Sequence, residues 1–85
     1  MTRLTTTLLY ALRRELETAG IPTLLAYGND AGLVAQVARP DDAYRAVGVL
    51  DLDYADRWVD DRRRTVAEGI WTCLGRTTVV TVYGP

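Results

Sequence analysis

The residues that could do chemistry gather between positions 51 and 64. Asp51, Asp53, Asp56, Asp60 and Asp61 fall close together with Arg57 among them, and Arg62, Arg63 and Arg64 follow at once. Closely spaced carboxylates can hold Mg²⁺ or Mn²⁺ and orient a water for hydrolysis. Asp51, Asp53 and Asp56 therefore define one chemistry to test, a carboxylate-metal, nuclease-like enzyme. The three consecutive arginines define another, contact with phosphates. Most other chemistries are removed by composition. The chain contains no His and a single cysteine, Cys73, so Ser–His and Cys–His nucleophiles are excluded, as is a zinc site built from several Cys or His ligands. No glycine-rich phosphate loop of either usual spacing occurs. Asp51-Leu52-Asp53-Tyr54-Ala55-Asp56 begins like a calcium loop, but Ala55 stands where a third ligand belongs and Asp56 where the loop needs Gly.

With 85 residues, residues 1–85 make one domain with a thin core. An apolar fraction of 48% is ordinary for a globular protein. No run approaches the roughly 20 apolar residues that span a bilayer, and Met1 to Thr7 lacks the apolar block of a signal peptide. A lone cysteine suits a reducing cytoplasm, with Cys73 filling core space. All ten basic residues are Arg, and Lys and Phe are absent. Those two residues have AT-rich codons, so the bias implies a GC-rich genome, bacterial or phage, and codon usage accounts for the missing lysine. A net charge of −1 argues against a dedicated nucleic-acid binder.

The elements that must position these residues follow from periodicity. Leu4, Leu8, Leu12 and Leu16 recur every four residues, predicting a helix over 3–19 with Arg13 and Glu17 paired on its solvent side. Gly20 and Pro22 end it. Thr23 to Tyr27 and Leu33 to Arg39 read as strands joined by the Gly28–Gly32 turn cluster. Pro40-Asp41-Asp42 reads as a second turn, and Tyr44 to Leu52 as a third strand with Gly48 at a bulge. Asp53 then reads as the cap of a long second helix reaching Leu74 and stopped by Gly75, with Thr77 to Tyr83 as a final strand. The predicted class is α+β in the order αβββαβ. Its mixed four-stranded sheet is an antiparallel three-strand meander plus a crossover strand, with both helices on one face. An open sheet leaves edges, the final strand lacks charges after Arg76, and a homodimer through an edge strand or the long helix would hide it and add to the thin core.

On that long helix, Ala55, Val59, Val66, Ala67, Ile70, Cys73 and Leu74 form an apolar face that includes Arg63. Arg57 with Asp61, Asp60 with Arg64, and Arg64 with Glu68 stand four apart as solvated pairs. Trp71 belongs to the core. Trp58, among charges, is either a partly exposed aromatic or a cover over the first helix, and Trp and Arg are enriched at binding hot spots. Trp58 with Arg57, Asp61 and Arg62 is therefore the expected partner-binding group. Arg62, Arg63 and Arg64, with Arg57 and Arg45, serve the nucleic-acid alternative.

In element order the reading is similar to the core of restriction-endonuclease-like nucleases, with Asp30 as a first acid, but the third strand lacks their acid-x-lysine motif. Without the last strand it resembles a double-stranded-RNA-binding domain, whose second helix begins basic, whereas here Asp53 and Asp56 occupy that end. A hydrophobic strand ending in Asp51-Leu52-Asp53 is similar to the nucleophile strand of haloacid-dehalogenase-like phosphatases, which need a much larger fold. No constellation favours catalysis and none implies a cofactor. The expected function is a non-enzymatic protein-binding module of the inhibitor, immunity-type or phage-accessory kind, cytoplasmic and homodimeric.

Overall fold

A computed structural model describes residues 3–85, with side chains from Thr5 onward. Its order is α1 Arg3–Thr18, β1 Thr23–Asn29, β2 Gly32–Val37, α2 Pro40–Leu50, β3 Asp53–Val59, β4 Thr65–Cys73 and β5 Arg76–Gly84. The five strands form one mixed sheet in the order β1-β2-β5-β4-β3. The α+β class with a mixed sheet therefore holds, but with five strands where four were expected. Only the β2–β5 pair is parallel. Leu8, Leu12 and Leu16 of α1 and Ala43, Ala46 and Leu50 of α2 share one core with Leu33, Ala35 and Val37 of β2 and Val80 and Val82 of β5. Both helices thus cover the same face of the sheet, and Trp71 lies in that core as expected. No helix among the described residues is long and apolar enough to cross a membrane.

α1 is the element the leucine period specifies, and Arg13 and Glu17 pair on it at 3.4 Å. The side chain of Leu4 lies outside the described residues. Gly20, at φ 80°, closes the helix: its N–H reaches the Glu17 carbonyl and that of Ile21 reaches Leu16. This is the paired 5→2 and 6→1 pattern that a left-handed residue permits. α2 ends in the same pattern, with Asp51 at φ 54° and the N–H of Leu52 reaching Val47.

Two predicted elements change type. Tyr44 to Leu52 is not a strand but most of α2. Pro40-Asp41-Asp42 is its first turn, where Pro has no N–H to lose and acids meet the positive end of the helix dipole. Gly48 accordingly sits within a helix. Residues 53 to 74 are not a helix but the β3–β4 hairpin. Asp60 builds its turn, since Oδ1 accepts the N–H groups of Arg62 and Arg64 and Oδ2 accepts Nε of Arg64. Gly69 lies in β4 where a Cβ would stand 2.8 Å from that of Leu52, so only glycine lets the α2–β3 connection cross the sheet there. Leu74-Gly75, with φ 54° and 73°, is a two-residue hairpin turn into β5 rather than a helix stop. β5 consequently lies between β2 and β4 and not at an edge. The nuclease-like and RNA-binding element orders are overturned with these two elements.

One buried carboxylate ties the helices together. Asp42, at 2% exposure, accepts Nε of Arg39 at 2.9 Å and Nη1 of Arg45 at 2.7 Å. The same two guanidinium groups donate to the carbonyls of Gly20 and Ala19 at the end of α1. Burial pushes the Asp42 carboxyl up, but the hydrogen bonds from Arg39 and Arg45 and then their charges outweigh it, holding it below the ordinary carboxylate range. A folded-state pKa below the unfolded value contributes stability that is present above the unfolded pKa and is lost as pH falls through the folded one. Asp42→Asn is therefore expected to lower the thermal midpoint at neutral pH more than Asp41→Asn at the exposed neighbouring position. The gap between Asp42→Asn and wild type should narrow as pH falls below the usual aspartate range. A gap that does not change with pH would contradict the clamp. At the β4–β5 turn, Leu74→Asn replaces an exposed leucine in a left-handed conformation with a residue that favours it. It should raise stability by about 0.5–1 kcal/mol, read as a higher denaturant midpoint at unchanged slope.

Candidate functional site

Residues opposite one another on neighbouring strands point to the same side of a sheet, and successive residues alternate. Because Leu33, Ala35, Val80 and Val82 face the helices, Val34, Gln36, Val79, Thr81 and Tyr83 face away. The pairing registers carry this outward layer across all five strands. One row is Leu25, Gln36, Tyr83, Val66 and Trp58, and the next is Tyr27, Val34, Thr81, Glu68 and Asp56. No element among the described residues packs on this side, since both helices lie opposite. Val66, between Trp58 and Tyr83 in its row, is nevertheless fully buried. An extra residue between Thr23 and Leu25 breaks the β1–β2 register, and Leu24 and Leu25 are both exposed beside this layer.

The polar groups of the face are tied down. Glu68 accepts the Thr81 hydroxyl at 2.8 Å. The Arg64 guanidinium lies 4.3 Å from the centre of the Tyr83 ring and is held by Asp60 at 2.8 Å. Burial pushes the Asp60 carboxyl up, but the N–H of Arg64, its guanidinium and the N–H of Arg62 more than compensate and hold it below the ordinary range.

The residues expected to bind a partner are divided by this geometry. Trp58 lies on the open face at 39% exposure. Its strand neighbour Arg57 turns the other way, 5.8 Å from the Tyr44 ring of α2. Asp61 and Arg62 are exposed at the tip of the β3–β4 hairpin. Arg62, Arg63 and Arg64 do not line one surface either. Arg63 is exposed at φ 61° in that turn, not in an apolar helix face, while Arg64 packs on Tyr83. Of the expected pairs along this segment, Asp60 with Arg64 forms, but across a turn. The members of the face that sequence reasoning missed are Leu25, Tyr27, Val34, Val66 and Tyr83. Their signal was present: β1 and β5 are apolar or β-branched at both parities, the pattern of a strand covered on two sides.

The acids expected to hold a metal are not brought together. Asp51 closes α2, whereas Asp53 and Asp56 lie on β3 across a register irregularity. No group of three or more acidic, His or Cys side chains that could hold a metal exists among the described residues. A notch of about 720 Å³ opens where β5 runs past the start of β2. Thr5, Leu8, the Asn29–Gly32 turn and Thr77 to Val79 line it, and among the described residues Asp30 is its one acidic side chain. Burial, and then the negative charge of Glu15, push the Cys73 thiol up, which is the reverse of what a nucleophile needs. Iodoacetamide at pH 8 should accordingly alkylate Cys73 more slowly than a free cysteine. Faster alkylation would reopen the cysteine as a reactive centre.

No family model, no curated protein and no solved structure matches the chain.

Proposed function

We propose that the chain is a small, non-enzymatic protein-binding module, of the inhibitor, immunity-type or mobile-element accessory kind, that docks a protein partner on the uncovered face of its sheet. The observation that carries this is the outward row itself. A sheet face left to water ordinarily alternates to polar residues, yet Leu25, Tyr83, Val66 and Trp58 make four of the five positions of one row apolar or aromatic. Exposed apolar surface rimmed by charge marks interaction sites, and here Leu25 and Trp58 are exposed at the two ends of the row, with Asp56, Asp61 and Arg62 nearest Trp58. Trp58, set against Val66 with Tyr83 beyond it, has the setting of a hot-spot anchor. The lone, unactivated Cys73 suits a reducing compartment, and we place the chain in the cytoplasm.

The same aromatics next to Arg62 and Arg63 are the parts from which a single-stranded nucleic-acid platform is built. Charge decides against that reading. Phosphates laid across this face would meet the Asp56 and Glu68 carboxylates, and Arg64 is already committed to Asp60.

The test is capture of partners by the tagged chain from its host lysate, with and without nuclease, followed by affinity measurement on whatever is captured. The expected result is a stoichiometric protein that survives nuclease. Its dissociation constant should rise at least roughly thirtyfold with Trp58→Ala and little with Arg62→Ala. Partners that vanish with nuclease, or binding that falls steeply with salt and tracks Arg62 and Arg63, would replace this function with nucleic-acid binding.

A further inference from the structure

The sheet ends in two edges, and they are built differently. β3 is protected in the usual ways: it carries Asp53, Asp56 and Arg57, its register breaks between Asp53 and Asp56, and Tyr54 there adopts φ 53°. β1, Thr-Leu-Leu-Ala-Tyr-Gly-Asn, holds no charge and no proline, and its irregularity is confined to the Thr23 end. From Leu25 to Asn29 its ladder is regular. Asn29 and Gly32 flank a two-residue turn, so they form the hydrogen-bonded closing pair of the hairpin. Backbone groups alternate along a strand, so Leu25 and Tyr27 also turn theirs toward β2. Ala26 and Gly28 therefore turn theirs outward, where no strand stands among the described residues.

We propose that this edge pairs with the same edge of a second copy, antiparallel about a two-fold axis at Tyr27, to make a continuous ten-stranded sheet. The register is set by the two free residues. Ala26 of each copy opposes Gly28 of the other, using all four outward N–H and C=O groups of each strand. The same alignment stacks Tyr27 on its symmetry mate on the open face, an aromatic cross-strand pair. On the helix face it opposes Ala26 and Gly28, the two smallest side chains of the strand, beside α1.

Charge complementarity argues for a second copy over an unrelated strand. Arg13 of α1 lies at the start of β1, donating to the Thr23 carbonyl at 3.3 Å, and its side chain is 45% exposed. Asp30 stands exposed just past the other end of β1. Antiparallel pairing about Tyr27 carries Asp30 of each copy alongside Leu24 of the other, next to the Thr23 carbonyl that Arg13 holds. One strand of this chain thus presents a cation at one end and an anion at the other, with nothing charged between, which is the self-complementary arrangement an isologous interface requires. The long helix expected to carry a homodimer does not form, since residues 53 to 74 make the β3–β4 hairpin, and the final strand β5 is central; the unprotected edge is β1. This inference is independent of the partner face around Trp58.

Sedimentation equilibrium of the full chain from micromolar to millimolar concentration tests it, together with hydrogen exchange. The expected result is a concentration-dependent dimer in which the Ala26 and Gly28 amides gain protection as the dimer fills. Asp30→Lys should raise the dissociation constant roughly tenfold by placing like charges against Arg13, and Arg13→Glu combined with Asp30→Lys should recover most of that loss. Tyr27→Lys should abolish the dimer, and Trp58→Ala should leave it unchanged. If Tyr27→Lys does not fold, wild-type exchange and the Asp30 variant still decide. A monomeric mass throughout, or a dimer in which the Ala26 and Gly28 amides stay unprotected and Asp30→Lys has no effect, would overturn the proposal.

Discussion

The position of Asp42 governs the rest of the molecule. A carboxylate this buried is tolerated only when its oxygens are paired, and here Arg39 and Arg45 pair them from positions three residues before and after it. Both arginines then reach Ala19 and Gly20, where α1 has run out of intrahelical partners for its last carbonyls. A single cluster therefore satisfies the end of one helix and the start of the next, and it fixes them side by side. Because α2 follows β2 and must return over the sheet, α1 is held on that same side. Both helices are then spent on one face, and among the described residues no element covers the other.

That consequence shapes the open face. Five strands give a sheet wide enough to have a true interior column, and β5 at its centre is flanked by β4 along its length and by β2 from Val80 to Tyr83. Side chains in such a column shield one another even without a covering layer, which is why Val66 is fully buried and Val34 and Thr81 nearly so. Glu68 meets the Thr81 hydroxyl in the middle of this layer rather than standing free, so the polar interruption is itself satisfied. What remains accessible is aromatic and aliphatic toward both rims, Trp58 on one and Leu25 with Tyr27 on the other. A surface of this kind is adapted to a dry contact more than to water.

How far the sequence discloses this depends on the uniqueness of each local signal. α1 was legible because leucines every four residues fit no strand, and β1 with β2 because Asn29 and Gly32 can only be a turn. Residues 44 to 52 are almost all small or apolar, so alternation through Val47 and Val49 fits as well as the helical spacing of Ala43, Ala46 and Leu50 that the fold uses. The deciding residues, Pro40-Asp41-Asp42, serve equally as a turn or as the first turn of a helix. Between 53 and 74 the misleading feature was charge: acids and arginines four apart imitate a helix surface, yet Asp60 and Arg64 use that spacing to fold a turn upon themselves. Gly69, which would weaken a helix interior by about 1 kcal/mol, and the β-branched residues around it pointed to a strand. Leu74 concealed the last hairpin, since leucine is not a residue that turns of that type favour. Of the site, the exposure of Trp58 was legible from its charged neighbours. The face it belongs to was not, because membership depends on which strands lie beside β5.

The arginines show how much of the basic composition the fold itself consumes. Ten basic residues in a chain with three of them consecutive suggest phosphate contact. In the fold, however, Arg39 and Arg45 secure Asp42, Arg64 secures Asp60 and packs on Tyr83, Arg57 lies over Tyr44, and Arg13 holds Glu17 and the Thr23 carbonyl. Each does what a planar, multi-donor cation does better than a lysine, bridging a carboxylate to backbone carbonyls or covering a ring. The fold has made that chemistry structural, since an ammonium in place of Arg39 or Arg45 offers no fork to span from Asp42 to the end of α1. Arg39, Arg45 and Arg64, each held by a carboxylate, are thereby withdrawn from a phosphate ligand. The charge left at the hairpin tip is Arg62 and Arg63 beside Asp61, and in the function we propose such a rim steers and selects the partner while the apolar face behind it supplies the affinity.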